Sequence, residues 1–183
     1  MNILMAEMLQ TMKHSPLRNY AGIPGLTSWL IGNPSEKGTV RMFECEREHF
    51  EHIIPHSHRY NFMCFVLTGQ VENTIWSQCD IPEQGGDMYR STEIEFTGEG
   101  KYVPVGFGEP CRWMHRTFRY KAGETYSMEA QEVHSIRFSR GTKVLFLEGP
   151  KVSEESLYIE PYVNGETVPV FKVEPWMFLK DKP

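Results

Sequence analysis

The sequence predicts an all-β barrel or sandwich. Three observations carry the prediction: short apolar runs that alternate with polar residues from Thr39 onward, turn residues between them at regular intervals, and an overall content of 15 Gly and 12 Pro in 183 residues. With 40% hydrophobic and 13% aromatic residues the chain has enough apolar side chains for one core of ordinary size. A single domain over 1–183 is expected, with an N-terminal helix and extension at 1–38, a barrel core at 39–150, and a C-terminal hairpin and tail at 151–183.

Each element follows from its local pattern. Ile3, Leu4, Met8, Leu9 and Met12 fall near helical spacing, which predicts a short amphipathic helix ending around His14-Ser15-Pro16 and packed on the barrel exterior or on a second subunit. Gly25 and Gly32-Asn33-Pro34 then interrupt the chain. Strands are expected at Thr39 to Cys45 and at Tyr60 to Leu67, with Gly69 as a turn and Val71 to Trp76 returning antiparallel. The segment 77–111 is polar and Gly-rich and reads as a hairpin or lid. Arg112 to Tyr120, Thr125 to Met128, Val133 to Phe138 and Lys143 to Glu148 read as four further strands. Asn164-Gly165, between Tyr158 to Val163 and Thr167 to Val173, is the preferred pair for a two-residue hairpin, and Pro161 and Pro169 push those strands toward an edge.

Composition narrows the function. A net charge of -5 with both signs mixed along the chain offers no basic stripe for a phosphate backbone, so nucleic acid is not an expected partner. No run approaches the roughly twenty apolar residues of a membrane span. The opening ten residues carry Glu7, no basic leader and no small-residue cleavage site, and Cys45, Cys64, Cys79 and Cys111 form no CxxC pair. A cytoplasmic protein with free thiols is the expectation. Open sheet edges and the amphipathic helix make a homodimer a further one.

The chemistry lies in the histidines. Side chains at i and i+2 of a strand share a face, so His56 and His58 can converge on one ion, with His134 as the third donor from a later strand. In a chain with seven histidines, a His-x-His by itself equally describes two partly exposed strand residues. By the same parity Tyr60, Phe62 and Cys64 share the face of His56 and His58, while Ile136 and Phe138 share that of His134, giving an aromatic substrate pocket or an ordinary barrel core. Cys64 reads as a buried, inert thiol ahead of a reactive one. His115, in the expected strand Arg112 to Tyr120, is a candidate fourth donor or acid/base group. His49 and His52 sit in an acidic stretch and read as solvated, and Glu129 and Glu132 as turn surface.

These residues resemble the cupin superfamily. His56-Ser-His58 is followed at the family's distance by Val66-Leu67-Thr68-Gly69, and Gly123 to His134 has the spacing of the second cupin motif, with Glu129 and Gln131 in place of the usual Pro and Gly. The resemblance covers about thirty residues and implies a double-stranded β-helix, or jelly-roll, barrel with one divalent metal on His56, His58 and His134. It also exposes two departures: Phe62 stands where the family commonly has a Glu ligand, and Phe138 stands where it has an Asn. The three remaining imidazoles are similar to the site of thiol dioxygenases such as cysteine dioxygenase, although only Arg41, Tyr60, Tyr126 and Tyr158 offer loose counterparts of that family's arginine and tyrosine. A closer likeness is to uncharacterised bacterial and phage cupins with a strand ending in Gly149-Pro150.

A site of three neutral nitrogens favours an anionic ligand from solution. Fe(II) is the favoured metal, and Zn(II) and Ni(II) suit the same donors. The leading functional expectation is an Fe(II)-dependent dioxygenase of a small anionic or thiol-bearing molecule, assisted by Tyr60, Tyr126 or His115. Two others stand beside it: a metal-dependent isomerase or hydrolase using His115 or Glu129 as a base, and a non-catalytic cupin that binds or sequesters a small metabolite or nucleotide-like ligand.

Overall fold

In this computed structural model the structure describes residues 16–20, 23–35, 38–49, 53–79, 86–97 and 102–168. The helix expected over residues 3–12 lies outside the described residues, as does the expected strand beyond Val168. The elements are β1 (Leu17–Arg18), β2 (Leu26–Ser35), β3 (Gly38–Cys45), β4 (Tyr60–Thr68), β5 (Gln70–Cys79), β6 (Asp87–Phe96), β7 (Tyr102–Phe107), β8 (Cys111–Lys121), β9 (Thr125–Met128), β10 (Val133–Phe138), β11 (Lys143–Lys151), β12 (Glu155–Val163) and β13 (Glu166–Thr167). They form two sheets, one ordered β1-β2-β3-β11-β4-β9 and the other β10-β5-β8-β6-β12-β13, with β7 added on β6.

The order of pairing defines the architecture. Between β3 and β4 the chain runs antiparallel along β10, where His49, Ile53 and His56 donate backbone hydrogen bonds to Phe138, Ile136 and His134. His56 forms isolated bridge pairs with His134 and with Tyr158, outside any regular ladder. Counting that segment as a strand, the chain visits the first sheet at β3, the second along β10, the first at β4, the second at β5 and β8, then β9, β10 and β11 alternately. Two facing four-stranded layers visited in this sequence are a jelly roll of the cupin type.

Alternation along the strands places the core between the layers. In β4, Phe62, Cys64 and Val66 are buried while Asn61 and Met63 face out, and in β9 Tyr126 and Met128 are buried between exposed Thr125 and Ser127. They join Val71, Phe138 and Val144 in the largest cluster. Full burial of a side chain such as Phe62 contributes about 1.5–3 kcal/mol.

Two expectations are corrected. β5 does not pair with β4: β4 lies between β11 and β9, and β5 between β10 and β8. Gly69 carries the chain across to the other layer at φ +75°, and a Cβ there would sit 2.4 Å from Thr142 Oγ1, so the corner needs glycine both for its conformation and for its contact. The break expected at Gly32-Asn33-Pro34 is instead the end of the ten-residue β2, whose pairing with β3 becomes irregular between Ile31 and Ser35. β2 tolerates these residues because the irregularity falls where regular pairing stops.

The segment 77–111 contains the β6–β7 hairpin, which extends the second layer through β8 and β12. The C-terminal hairpin forms as expected, with Asn164 at φ 53° and Gly165 at φ 87°, the left-handed pair that matches strand twist.

Candidate metal centre

His56, His58 and His134 come together in the cavity between the layers, each offering one nitrogen, with all three nitrogens within 4.8 Å of one another. The ring centroids are 4.8 Å apart for His56 and His58, 5.0 Å for His56 and His134, and 5.1 Å for His58 and His134. His56 is held by its reciprocal backbone pair with His134, at 2.8 and 2.9 Å. His58 does not lie on a strand, contrary to the parity argument. Its convergence comes from a pinned irregular segment: Ser57 N donates to Leu157 O, Leu157 N donates to Ser57 Oγ, and His58 N donates to Ala130 O.

Hydrogen bonds on the far side of two rings fix which nitrogen faces inward. His56 Nδ1 lies 2.7 Å from the Ile54 carbonyl, which only accepts, so Nδ1 carries the proton and Nε2 presents a lone pair. His134 Nδ1 lies 2.6 Å from Asn73 Oδ1, while the Asn73 amide nitrogen points to Met128 Sδ at 3.5 Å. That leaves His134 Nε2 free as well, 2.9 Å from His58 Nε2. Orienting bonds of this kind are what a ligating imidazole needs.

The rings are poised to be neutral. Burial lowers the His56 pKa against a small opposing effect of the Ile54 carbonyl. Burial, reinforced by the neighbouring imidazoles, holds His58 and His134 well below the usual histidine value. Three neutral donors, two of them 2.9 Å apart, fit a divalent ion bound at ordinary metal–nitrogen distances of about 2.1 Å. Among the described residues no carboxylate joins the cluster, and Phe62 packs its ring 4.8 Å from His58 and 5.7 Å from His134.

The triad opens on a cavity of about 400 Å³, lined also by Tyr60, Cys64, Tyr126, Ile136 and Phe138 among the residues the sequence nominated. Phe62 is buried behind the histidines rather than on the cavity wall. The Tyr126 hydroxyl is buried with no neighbour to bond except the thiol of Cys64, opposite it on β4. Burial pushes the Cys64 thiol up to about 12, which makes it an inert group at neutral pH. Arg41 lines the cavity too, over the Tyr20 ring at 5.6 Å.

Other nominated residues lie elsewhere. His115 is exposed and stacks on Trp76 at 4.8 Å, a cross-strand pair on the opposite face of β5 from Ile75, the register partner of His134. Tyr158 is buried beside His56 in a bridge pair and turns its hydroxyl to Thr92. His49, expected in solvent, is half-buried, with Nε2 3.4 Å from Cys45 Sγ, and burial lowers its pKa. Glu129 and Glu132 are exposed in a turn, and His52 lies outside the described residues.

Asn73 was not singled out from the sequence, although a polar residue at inward parity between Val71 and Ile75 is a signal for it. Arg59, Phe96, Tyr102 and Glu148 also line the cavity, and no local pattern marks them.

Fold and site together define a jelly-roll barrel with a three-histidine cluster lining its cavity, a site suited to a divalent metal. No protein-family model matches the chain, and no curated protein matches it in sequence. Solved structures resemble it at low identity. An RmlC-like cupin from Shewanella frigidimarina is 11% identical, with 77% of this chain and 87% of that one covered and a TM-score of 0.45. KdgF from Halomonas sp. is 12% identical, covering 76% and 90%, with a TM-score of 0.45. Hydroxypropylphosphonic acid epoxidase from S. wedmorenis is 10% identical, covering 76% and 56%, with a TM-score of 0.46. The jelly-roll assignment rests on the strand order above and owes nothing to these likenesses. Among the described residues no helix is long and apolar enough to cross a membrane.

Proposed function

We propose that the protein is a metal-dependent oxygenase that acts on a small anionic or thiol-bearing molecule, with one divalent metal, Fe(II) foremost, on His56, His58 and His134. The observation that carries this reading is the committed donor set: Nδ1 of His56 and of His134 are occupied by Ile54 and Asn73, so their Nε2 atoms are left to face His58 within a cavity of about 400 Å³. Ferrous iron held there would supply an oxygen-reactive centre with three imidazoles and, among the described residues, no carboxylate in its ligand cluster, and zinc or nickel in its place would supply a Lewis acid.

The chain's own groups do the rest. Phe43, Phe138 and Phe146 give the cavity an apolar wall. Tyr126 presents a buried hydroxyl beside the Cys64 thiol, a weak partner, so it is available to donate to a bound ligand. Tyr60 Oη accepts from Arg59 at 2.8 Å, which leaves its own proton for the ligand. His115, on the outer face, takes no part, and an isomerase or hydrolase using His115 or Glu129 has correspondingly less support.

The test is elemental analysis of wild type and His134→Ala after loading with ferrous iron under anaerobic conditions, followed by oxygen uptake across a panel of thiols and carboxylates. One metal per chain, lost in the variant, with substrate-dependent uptake is the expected result. Metal retained by His134→Ala, or no uptake with any panel member, overturns it. One observation favours a second reading, a cavity that binds a metabolite without turnover: His58 and His134 at 2.9 Å satisfy each other by a direct N–H···N bond when no ion is held. Recovery of an unchanged small molecule from metal-free protein would support that alternative.

A further inference from the structure

We propose that Arg59 is the anion anchor of the cavity, gripping the carboxylate of a small ligand beside the histidine cluster. This rests on the reading of the cavity as a ligand site and names the class of molecule it takes.

The mounting of Arg59 is what distinguishes it. Its guanidinium sits over three rings, 4.6 Å from the centroid of Phe96, 5.3 Å from Tyr60 and 5.6 Å from Tyr102. Aromatic faces hold a guanidinium by its flat surface and leave its in-plane N–H groups pointing outward, which is the geometry for a fork-like grip on a carboxylate. Two of its contacts are already taken, by Tyr60 Oη at 2.8 Å and by the Tyr102 hydroxyl. Nε is buried and donates to nothing. The part of the guanidinium that lines the cavity keeps its positive charge for an anion entering there.

The main chain is equally fixed, since the Arg59 carbonyl accepts from Val152 N at 2.9 Å and from Ser153 N at 3.3 Å. No loop movement is needed to present the side chain. Arg59 directly follows His58, and both line the same cavity, so an anion held there lies next to the triad. The charges agree with this assignment: among the described residues lining the cavity, Arg41 and Arg59 face one carboxylate, Glu148. Arg41, which bonds Ser28 Oγ at 3.3 Å, is the second candidate because its guanidinium rests on one ring where that of Arg59 rests on three.

Calorimetric titration with phenylacetate and succinate against phenylacetamide and succinamide tests the assignment, on metal-free and zinc-loaded protein. Wild type is expected to take at least one acid more tightly than its amide, and Arg59→Gln to bind that acid about tenfold to a hundredfold more weakly, the usual worth of a charge-assisted hydrogen bond. Arg59→Lys keeps the charge without the fork and is expected to fall between them, while Arg41→Gln changes binding less than Arg59→Gln does. Equal binding of acid and amide, undiminished binding in Arg59→Gln, or a larger loss in Arg41→Gln overturns the proposal. Should Arg59→Gln not fold, undiminished binding in Arg59→Lys overturns it instead. Metal content is measured in parallel: Arg59-dependent acid binding by a wild type that holds no metal refutes the metal reading and leaves the anchor standing.

Discussion

Replacing Asn73 with Leu removes the acceptor that orients His134 while keeping a side chain of similar volume. Asn73 is 2% exposed and its Oδ1 lies 2.6 Å from His134 Nδ1, so the lost bond is short and out of reach of water. In Asn73→Leu the His134 N–H is left without an acceptor in an apolar setting, which costs about 1–3 kcal/mol of folding stability. The ring is also free to turn or to move its proton to Nε2, and either event removes a donor from the cluster. Loss of such an orienting partner typically weakens metal binding about 10–100-fold, which corresponds to about 1.4–2.8 kcal/mol. The assay is competition with a chromophoric chelator for zinc at neutral pH, paired with urea unfolding of the metal-free protein. Asn73→Asp restores an acceptor and strengthens the imidazole as a donor, so it is expected to recover or exceed wild-type affinity. Zinc affinity unchanged in Asn73→Leu would refute the reasoning, because it would mean that Nε2 of His134 is not the donor or that Asn73 does not select it.

Two further outcomes follow from single residues. Glu72 sits between Arg119 and Arg137 on the neighbouring strands; burial raises its pKa, but the Arg119 hydrogen bond and the Arg137 charge together outweigh this and hold it below the usual carboxylate value. Its stabilisation is therefore present above the unfolded carboxylate value of about 4.3 and is lost as pH falls through the lower folded value. Unfolding midpoints measured from pH 6 down to pH 3 should converge for wild type and Glu72→Gln, and a gap that stays constant over that range would contradict the assignment. The thiol of Cys64, at about 12, is about one part in ten thousand thiolate at pH 8. The native protein should label there with iodoacetamide far more slowly than at the partly exposed Cys111, as read by peptide mass spectrometry, and comparable rates would show that the cavity admits the reagent and that the thiol is not held protonated.

Much of the barrel is determined by sequence alone. Period-two alternation fixes β9 at Thr125–Met128 and β10 at Val133–Phe138 because one face of each is buried, so a shift of one residue would turn the apolar set outward. Asn164-Gly165 fixes its hairpin by the same local economy, since few residue pairs accept two left-handed conformations. The three histidines are nominated by strand parity together with the spacing of the motifs they resemble, but parity fails for His58, which lies on no strand. Partner choice was decided elsewhere: β4 and β5 are separated by one glycine yet lie in different layers, because Gly69 and Thr142 pack together at the corner and β11 and β9 supply the partners of β4. His58 reaches the site through backbone bonds to Ala130 and a neighbouring pair between Ser57 and Leu157, contacts spanning 72 to 100 positions that no window of sequence contains. Arg59, Phe96 and Tyr102 meet only because β6 and β7 fold back across the barrel, and His115 faces outward because the register of β8 on β5 places it beside Trp76. Residue type and parity are local and were legible from the sequence; which inward-facing side chains meet depends on long-range register, and the tertiary structure alone decides that.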